Sequence, residues 1–373
     1  MIYLDYAANT PADLQVINTF SEVSKEFIAN PNSTHKLGRL ALEKLNESTK
    51  KIAELLKVSE NEIIFTSGAS ESNNTAIKGI AGHYKKYGKH IITTYLEHSS
   101  VNGAIGYIKN NGFEVDYVEI TQDGLVDLDN LKELLRNDTI LVSICYVDSE
   151  VGLTQQVNKI GEIIKNYPHC VFHVDATQAV GKILVSFENV DLVTFAPHKF
   201  YGLNGCGILI KKEKIMLEPL IHGGISTSAF RSGTPALGMI AAAEKALSLS
   251  YEKLDEHYNY VKNLNDKLKN RLKKYSNVKI NSNANSVPFI LNISIDKVNT
   301  EQLKMELENF DIYVSTKSAC CAPNTASRPV YALTKDRKRA LSTLRISLSY
   351  LTTENDIDLF LEAFDKCLKN LVK

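Results

Sequence analysis

Lys199 sits in the stretch Phe195-Ala196-Pro197-His198-Lys199-Phe200-Tyr201-Gly202, directly after an apolar run. A lysine beside a histidine, in an aromatic turn bounded by glycine, is poorly placed for solvation. Burial disfavours the ammonium form and keeps the amine neutral, as an amine that forms an imine with an aldehyde must be. Three further patterns also follow apolar runs. Val174-Asp175-Ala176-Thr177-Gln178 ends its run on an acid. A carboxylate there has limited solvation and needs a partner, and a protonated pyridine nitrogen supplies one while strengthening the ring as an electron sink. Thr66-Ser67-Gly68-Ala69-Ser70-Glu71 lies between a run and a helical pattern. Its glycine allows a tight turn, and the free N–H groups of the helix start, with the Ser70 hydroxyl, make a phosphate cradle. His98 follows another run and is placed to lie flat against an aromatic ring. Each pattern alone also has a plain reading: a Ser-capped helix, an N-cap at Asp175, a structural histidine. Together they order a cradle, a ring stacker, a ring-nitrogen acid and an imine lysine along one chain. That set specifies pyridoxal 5'-phosphate rather than a nucleotide, because no GxGxxG follows the first strand-like run and no P-loop motif occurs.

The elements that must position these residues form a regular alternation. Candidate strands are Ile63–Thr66, His90–Thr94, Glu114–Glu119, Ile140–Val147, Cys170–Val174, Asp191–Phe195 and Gly207–Lys211. The runs are largely continuous rather than alternating, as expected when both faces of a sheet are covered. Helical patterns at Glu71–Lys86, Asn102–Asn110 and Lys159–Asn166 lie between several of them. This is the α/β pattern of a mostly parallel, seven-stranded sheet, whose ligands bind at the carboxyl ends of its strands. Pro235 opens a long helical stretch from Ala236 to about Lys274. Beyond it Val278–Ile280, Phe289–Ile295 and Leu344–Ser349 read as strands, Thr300–Glu308 as a helix, and Thr353 as the cap of a last helix reaching Leu371. The expected organisation is a large domain over residues 14–255 and a smaller α+β domain built from residues 1–13 and 256–373.

The 373 residues carry 43 Lys+Arg and 43 Asp+Glu. The balance gives no net field to recruit nucleic acid or anionic lipid, and neither is expected as a partner. The basic run Lys335 to Arg339 reads as a solvated loop. No apolar stretch reaches membrane-spanning length and the first residues do not resemble a signal peptide, so a cytoplasmic location is expected. The six cysteines make no CxxC pair and share no metal-like spacing with histidine, so no metal is expected. Cys145, Cys170 and Cys206 sit in or beside apolar runs and read as small core residues. Cys320 and Cys321 sit instead in a polar stretch, within Ser318 to Pro329, that reads as a poor helix or strand and as a mobile loop at about residues 316–335.

With these motifs the chain resembles the cysteine desulfurases, in the class V aminotransferase branch of fold-type I pyridoxal-phosphate enzymes. The resemblance runs through Tyr3-Leu4-Asp5-Tyr6-Ala7-Ala8-Asn9-Thr10-Pro11, Asn30-Pro31-Asn32-Ser33-Thr34-His35, the cradle, Leu96-Glu97-His98, His173 to Gln178 and His198-Lys199. It continues through Arg231-Ser232-Gly233-Thr234, Ser318-Ala319-Cys320 and Leu344-Arg345-Ile346-Ser347. It implies that Lys199 carries the cofactor and moves the α-proton, that Asp175 pairs with the pyridine nitrogen, that Gln178 touches the phenolic oxygen and that His98 stacks on the ring. It also implies that Ser70, His198 and the Ala69 backbone bind phosphate, with Thr234 reaching over from the second subunit of a homodimer. Arg345 is implied to hold the carboxylate of L-cysteine, with Asn32 also in the substrate site. Cys320 is implied to take the sulfur as a persulfide, leave alanine, and pass the sulfur to an acceptor protein of the scaffold type, for iron–sulfur cluster assembly or other sulfur trafficking.

The chain departs from the family pattern at three places. Asp148-Ser149-Glu150 stands where Asn-Asn-Glu is usual, so Ser149 replaces a cofactor-contacting asparagine with a shorter side chain. Ala196 replaces a phosphate-binding serine. Gly223-Gly224-Ile225-Ser226-Thr227 replaces a Gly-Gly-Gly-Gln/His-Glu stretch. Weaker cofactor retention is the expected result. Rival readings are a selenocysteine lyase or aminotransferase of the same family, and a non-catalytic scaffold.

Overall fold

The computed structural model describes residues 1–317 and 325–371. Eight strands lie in the first 211 residues: β1 (Ile2–Tyr3), β2 (Ile63–Thr66), β3 (His90–Thr93), β4 (Glu114–Tyr117), β5 (Thr139–Cys145), β6 (Val171–Asp175), β7 (Leu192–Phe195) and β8 (Gly207–Lys211). Seven of them form one sheet in the order β2-β8-β7-β6-β5-β3-β4. Only β8 runs against its neighbours; β3 to β7 are mutually parallel. These are the seven strands the sequence predicts, so the α/β fold with a mostly parallel seven-stranded sheet stands.

Burial explains the continuous apolar runs. Every residue of β5, β6, β7 and β8 is buried. On one face, Ile77 and Ile80 of the helix Ala69–Tyr84 pack with Ile91, Leu141 and Leu209. On the other, Val142, Ile144 and Val174 pack with Ala246 and Leu247 of the helix Leu237–Glu252. The edge strand β4 carries Glu114 and Asp116 and is only partly covered, and such charges discourage further strand pairing.

The C-terminal part holds β9 (Val278–Ile280), β10 (Ile290–Ile295), β11 (Ile312–Tyr313) and β12 (Thr343–Ser347). β12, β10 and β9 make an antiparallel sheet, and β11 pairs in parallel with β1. The amino-terminal residues are thereby stitched to the C-terminal part, and Asp5 makes a further bridge to Ser347. Thr353 Oγ1 accepts from the Asp356 N–H at the start of the helix Glu354–Leu371.

Three local expectations need correction. The stretch from Ala236 to Lys274 is two helices, Leu237–Glu252 and Leu254–Leu272, because Lys253 leaves helical geometry with φ −120° and ψ 22°. The region 316–335 is not loop throughout, since Arg328–Thr334 is helical. Ser327 caps that helix by accepting the Val330 N–H, and Pro329 falls in the first turn, where its missing N–H is not needed. Val330 and Ala332 then pack with Leu96, Val151 and Leu153. The basic run is not a solvated loop either. Arg337–Leu341 is helical, and Arg339 donates to Asn281 Oδ1 and the Ile280 carbonyl.

Candidate active site

A cavity of about 380 Å³ lies at the carboxyl ends of β2, β5 and β6 and is closed on one side by Arg345. The Ser67–Glu71 turn follows β2 and starts the helix Ala69–Tyr84. Gly207 of β8 lets this turn pack closely: a Cβ on Gly207 would lie 2.3 Å from the Gly68 carbonyl carbon, whereas a Cβ on Gly68 itself would meet nothing within 4 Å. Ser70 is exposed and Ala69 half-buried at the cavity lip. Glu71 turns back, Oε2 accepting the Ser67 N–H at 2.7 Å and Oε1 pairing with Arg231 Nε at 2.9 Å. Burial pushes its carboxyl up, but the Arg231 guanidinium and the Ser67 N–H outweigh this and hold it below the ordinary carboxylate range.

His98 caps the helix Ser99–Asn110, its Nδ1 accepting the Ser100 N–H at 3.2 Å. Burial, ahead of the opposing Asp175 charge, lowers its pKa. The ring is therefore neutral, with its hydrogen on Nε2.

Asp175 ends β6 and is 6% exposed. Asn73 Nδ2 donates to Oδ2 at 2.8 Å and the Thr177 N–H to Oδ1 at 3.0 Å. Both donors are neutral, and no ion pair to Asp175 occurs among the described residues. Gln178 lies one turn further on. Its Nε2 donates to the Ala7 carbonyl at 2.9 Å, and its Oε1 accepts from Lys182 Nζ at 2.7 Å.

His198 and Lys199 occupy a short 3₁₀ turn, Pro197–Lys199, after β7. Thr10 fixes this turn, its N–H and its hydroxyl both donating to the His198 carbonyl at 3.0 Å. Lys199 Nζ reaches the carbonyls of Ala7 at 3.0 Å and Ala8 at 2.5 Å. Burial, then the charges of Lys199 and Lys182, push His198 down to about 4. Ala196 is fully buried and does not line the cavity.

Arg345 stands in the middle of β12 and is 1% exposed. Nη1 donates to the Ser149 carbonyl and Nη2 pairs with Asp5 Oδ1, each at 2.8 Å, while the buried Nε has no partner among the described residues. Ser149 thus enters the site through its carbonyl as well as by lining the cavity.

The structure brings together Ala69, Ser70, His98, Ser149, Asp175, Gln178, His198, Lys199 and Arg345 around one cavity. It does not bring Asn32 there: that residue is exposed and its Nδ2 donates to Ser226 Oγ at 2.7 Å. Thr234 is exposed and outside the lining. Cys320 and Cys321 lie outside the described residues. Beside that segment, Lys317 Nζ bonds the carbonyl and hydroxyl of Thr325 at 2.9 and 2.7 Å. Cys145, read as a core residue, is buried and also lines the cavity. Asp5, Asn73 and Lys182 escaped the sequence reading as site residues. Lys182 left a trace, since a lysine four residues after Gln178 in an otherwise apolar stretch must find a partner.

A family model described as Aminotransferase class-V matches residues 2–360. This chain belongs to that family. Among its class-V relatives, the cysteine desulfurase IscS of Buchnera aphidicola subsp. Baizongia pistaciae is 39% identical over 380 residues, covering 99% of this chain and 93% of the relative. The cysteine desulfurase IscS of Mannheimia succiniciproducens is 40% identical over 379 residues, with the same coverage of 99% and 93%. A solved NifS-like protein shares 34% identity with a TM-score of 0.92, covering 99% of this chain and 100% of that one. This class-V chain has no cluster of His, Cys, Asp and Glu suited to a metal among its described residues, nor a helix there long and apolar enough to cross a membrane.

Proposed function

We propose that this chain is a cysteine desulfurase that works with pyridoxal 5'-phosphate, takes sulfur from L-cysteine and leaves L-alanine. The observation that carries the reading is the meeting of Lys199, Asp175, His98 and Arg345 around one cavity at the strand ends. The residues fit the cofactor on a physical ground. Asp175 is a buried carboxylate with neutral donors only, and a buried charge without an opposite charge is costly. A protonated ring nitrogen supplies that opposite charge. The buried Thr177 hydroxyl, which also lines the cavity, has no partner among the described residues.

When bound, pyridoxal phosphate supplies an electron sink for the pair left by the departing α-proton. Lys199 would hold the cofactor through Nζ and move the α-proton. Asp175 would keep the ring-nitrogen proton in place, and Gln178 and Ser149 would serve the phenolic oxygen. His98 would stack on the ring and, neutral through burial, be available to accept a proton. The Ala69 N–H, Ser70 and His198 would hold the phosphate, with Thr234 from the second subunit of a homodimer. Arg345 presents a guanidinium fork to the substrate carboxylate, and Asn32 serves the substrate from outside the described cavity wall. Cys320, as thiolate, forms a sulfur–sulfur bond with the substrate. The substrate's carbon–sulfur bond breaks, and its carbon gains a proton to become the methyl of alanine. The persulfide then passes to an acceptor protein.

The test is an assay of the purified chain with L-cysteine and pyridoxal phosphate, following alanine, sulfide and protein-bound persulfide. Stoichiometric alanine with persulfide on Cys320 is expected. Turnover that requires a keto acid, or none at all with cofactor bound, overturns the proposal.

A further inference from the structure

We propose that Lys182 is a positioning residue that sets which end of the Gln178 amide faces the cofactor's phenolic oxygen. The inference rests on the pyridoxal-phosphate reading and goes beyond it, because Lys182 does not line the cavity.

An amide side chain offers an oxygen that accepts and an NH₂ that donates, and the two ends are close in size. A site that must present a donor therefore has to fix the flip. Lys182 does this by chemistry alone, since an ammonium has three donors and no acceptor. Its Nζ lies 2.7 Å from Gln178 Oε1 and can bond only that oxygen. The other end agrees. Gln178 Nε2 lies 2.9 Å from the Ala7 carbonyl, which can only accept. One N–H of Nε2 is thereby used, and the second remains for a group in the cavity that Gln178 lines.

Burial makes the arrangement firm. Lys182 is 8% exposed and Gln178 4% exposed, so water does not substitute easily for either partner. A lysine so buried would ordinarily need a carboxylate, yet no ion pair to Lys182 occurs among the described residues. Burial, then the positive charges of Lys199 and Arg345, bring its pKa down to about 7. Below about pH 7 the group is therefore an ammonium without a lone pair, and Gln178 Oε1 is the acceptor that stabilises this form. Replacing Lys182 with an apolar side chain leaves Gln178 Oε1 buried and unpaired, and a flip that turns Nε2 away from the phenolic oxygen becomes accessible.

The experiment uses the holoenzyme and reads a spectrum, not turnover. The visible band of the bound cofactor titrates with the proton shared between Lys199 nitrogen and the phenolic oxygen. A donor on that oxygen stabilises its anion and lowers the titration midpoint. Lys182→Met is expected to raise the midpoint by about one pH unit or more, the size of a lost hydrogen bond to a charged atom. Lys182→Arg, which also has donors and no acceptor, is expected to keep the wild-type midpoint. Because Lys182 acts through Gln178, Lys182→Met is expected to add no further shift in a Gln178→Leu background. An unchanged midpoint in Lys182→Met overturns the inference and leaves the cofactor reading standing. A further shift in the Gln178→Leu background also overturns it, because the lysine charge would then act directly. If Lys182→Met does not fold, Lys182→Leu takes its place with the same outcomes. A wild-type chain that takes up no pyridoxal phosphate overturns both this inference and the function on which it rests.

Discussion

A carboxyl sealed away from water without a cation gives up its charge, and Glu97 illustrates the point beside the site. Burial pushes it up to about 8, against the hydrogen bonds from the Cys145 N–H and the Thr94 hydroxyl, both of which go to Oε1. In the unfolded chain the same group ionises near 4.3. The folded state therefore keeps a proton that the unfolded state releases. Its contribution to stability is full below about pH 4 and is lost as pH rises through about 8. Glu97→Gln keeps the acceptor oxygen and removes the titration, so thermal melts between about pH 5 and 8 should decline less steeply than wild type; parallel curves would refute this. The same burial raises the thiols of Cys145 and Cys170, which suits inert residues. A nucleophile needs thiolate, and Cys320→Ser should eliminate persulfide while leaving the cofactor spectrum intact. Cys321→Ser should keep most activity, and the reverse pattern would reassign the nucleophile. Lys199→Ala should lose the borohydride-trappable cofactor, and a retained adduct on another lysine would sink that role.

At the scale of elements, a single contact shows how turns are locked. Ser327 Oγ caps the helix Arg328–Thr334 and bonds Glu150 Oε2 at 2.5 Å. Ser327→Ala removes a cap and one partner of a buried carboxylate, and should destabilise the fold by about 1–3 kcal/mol. Denaturant midpoints test it, and a change within error would show that the helix is held by Val330 and Ala332 alone. That helix was illegible in sequence because its proline and polar neighbours resemble a loop, while its support comes from Glu150, far away in the chain. The seven sheet strands were legible because both faces are covered, which writes burial directly into continuous apolar runs. The cofactor-facing turns were legible for the same reason: each follows such a run. Asp5 and Asn73 were not, since an acid near the N-terminus and an asparagine inside a helix acquire meaning only when Arg345 and Asp175 come within reach.

For the whole molecule, Leu14, Ile28 and Ile225 are 69%, 78% and 85% exposed, alongside Thr234 in the same outward-facing region of sequence as Ile225. The proposed reach of Thr234 to the phosphate of a second subunit requires association, so the chain should sediment as a dimer. Thr234→Ala should weaken cofactor retention there, and a monomer that keeps its cofactor and turns over would contradict both expectations. The stitching of β1 to β11, of Asp5 to Arg345 and of Ala7 to Gln178 and Lys199 has a consequence for biosynthesis. Asp5 leaves the ribosome 340 residues before its partner. At about 5–20 residues per second, the opening strand waits about 17–70 s for Arg345 to be translated. The sheet can assemble on the nascent chain meanwhile, but the wall of the cavity closes only near release. Ribosome-stalled chains ending before β12 should therefore fail to retain cofactor, whereas released full-length chains acquire it.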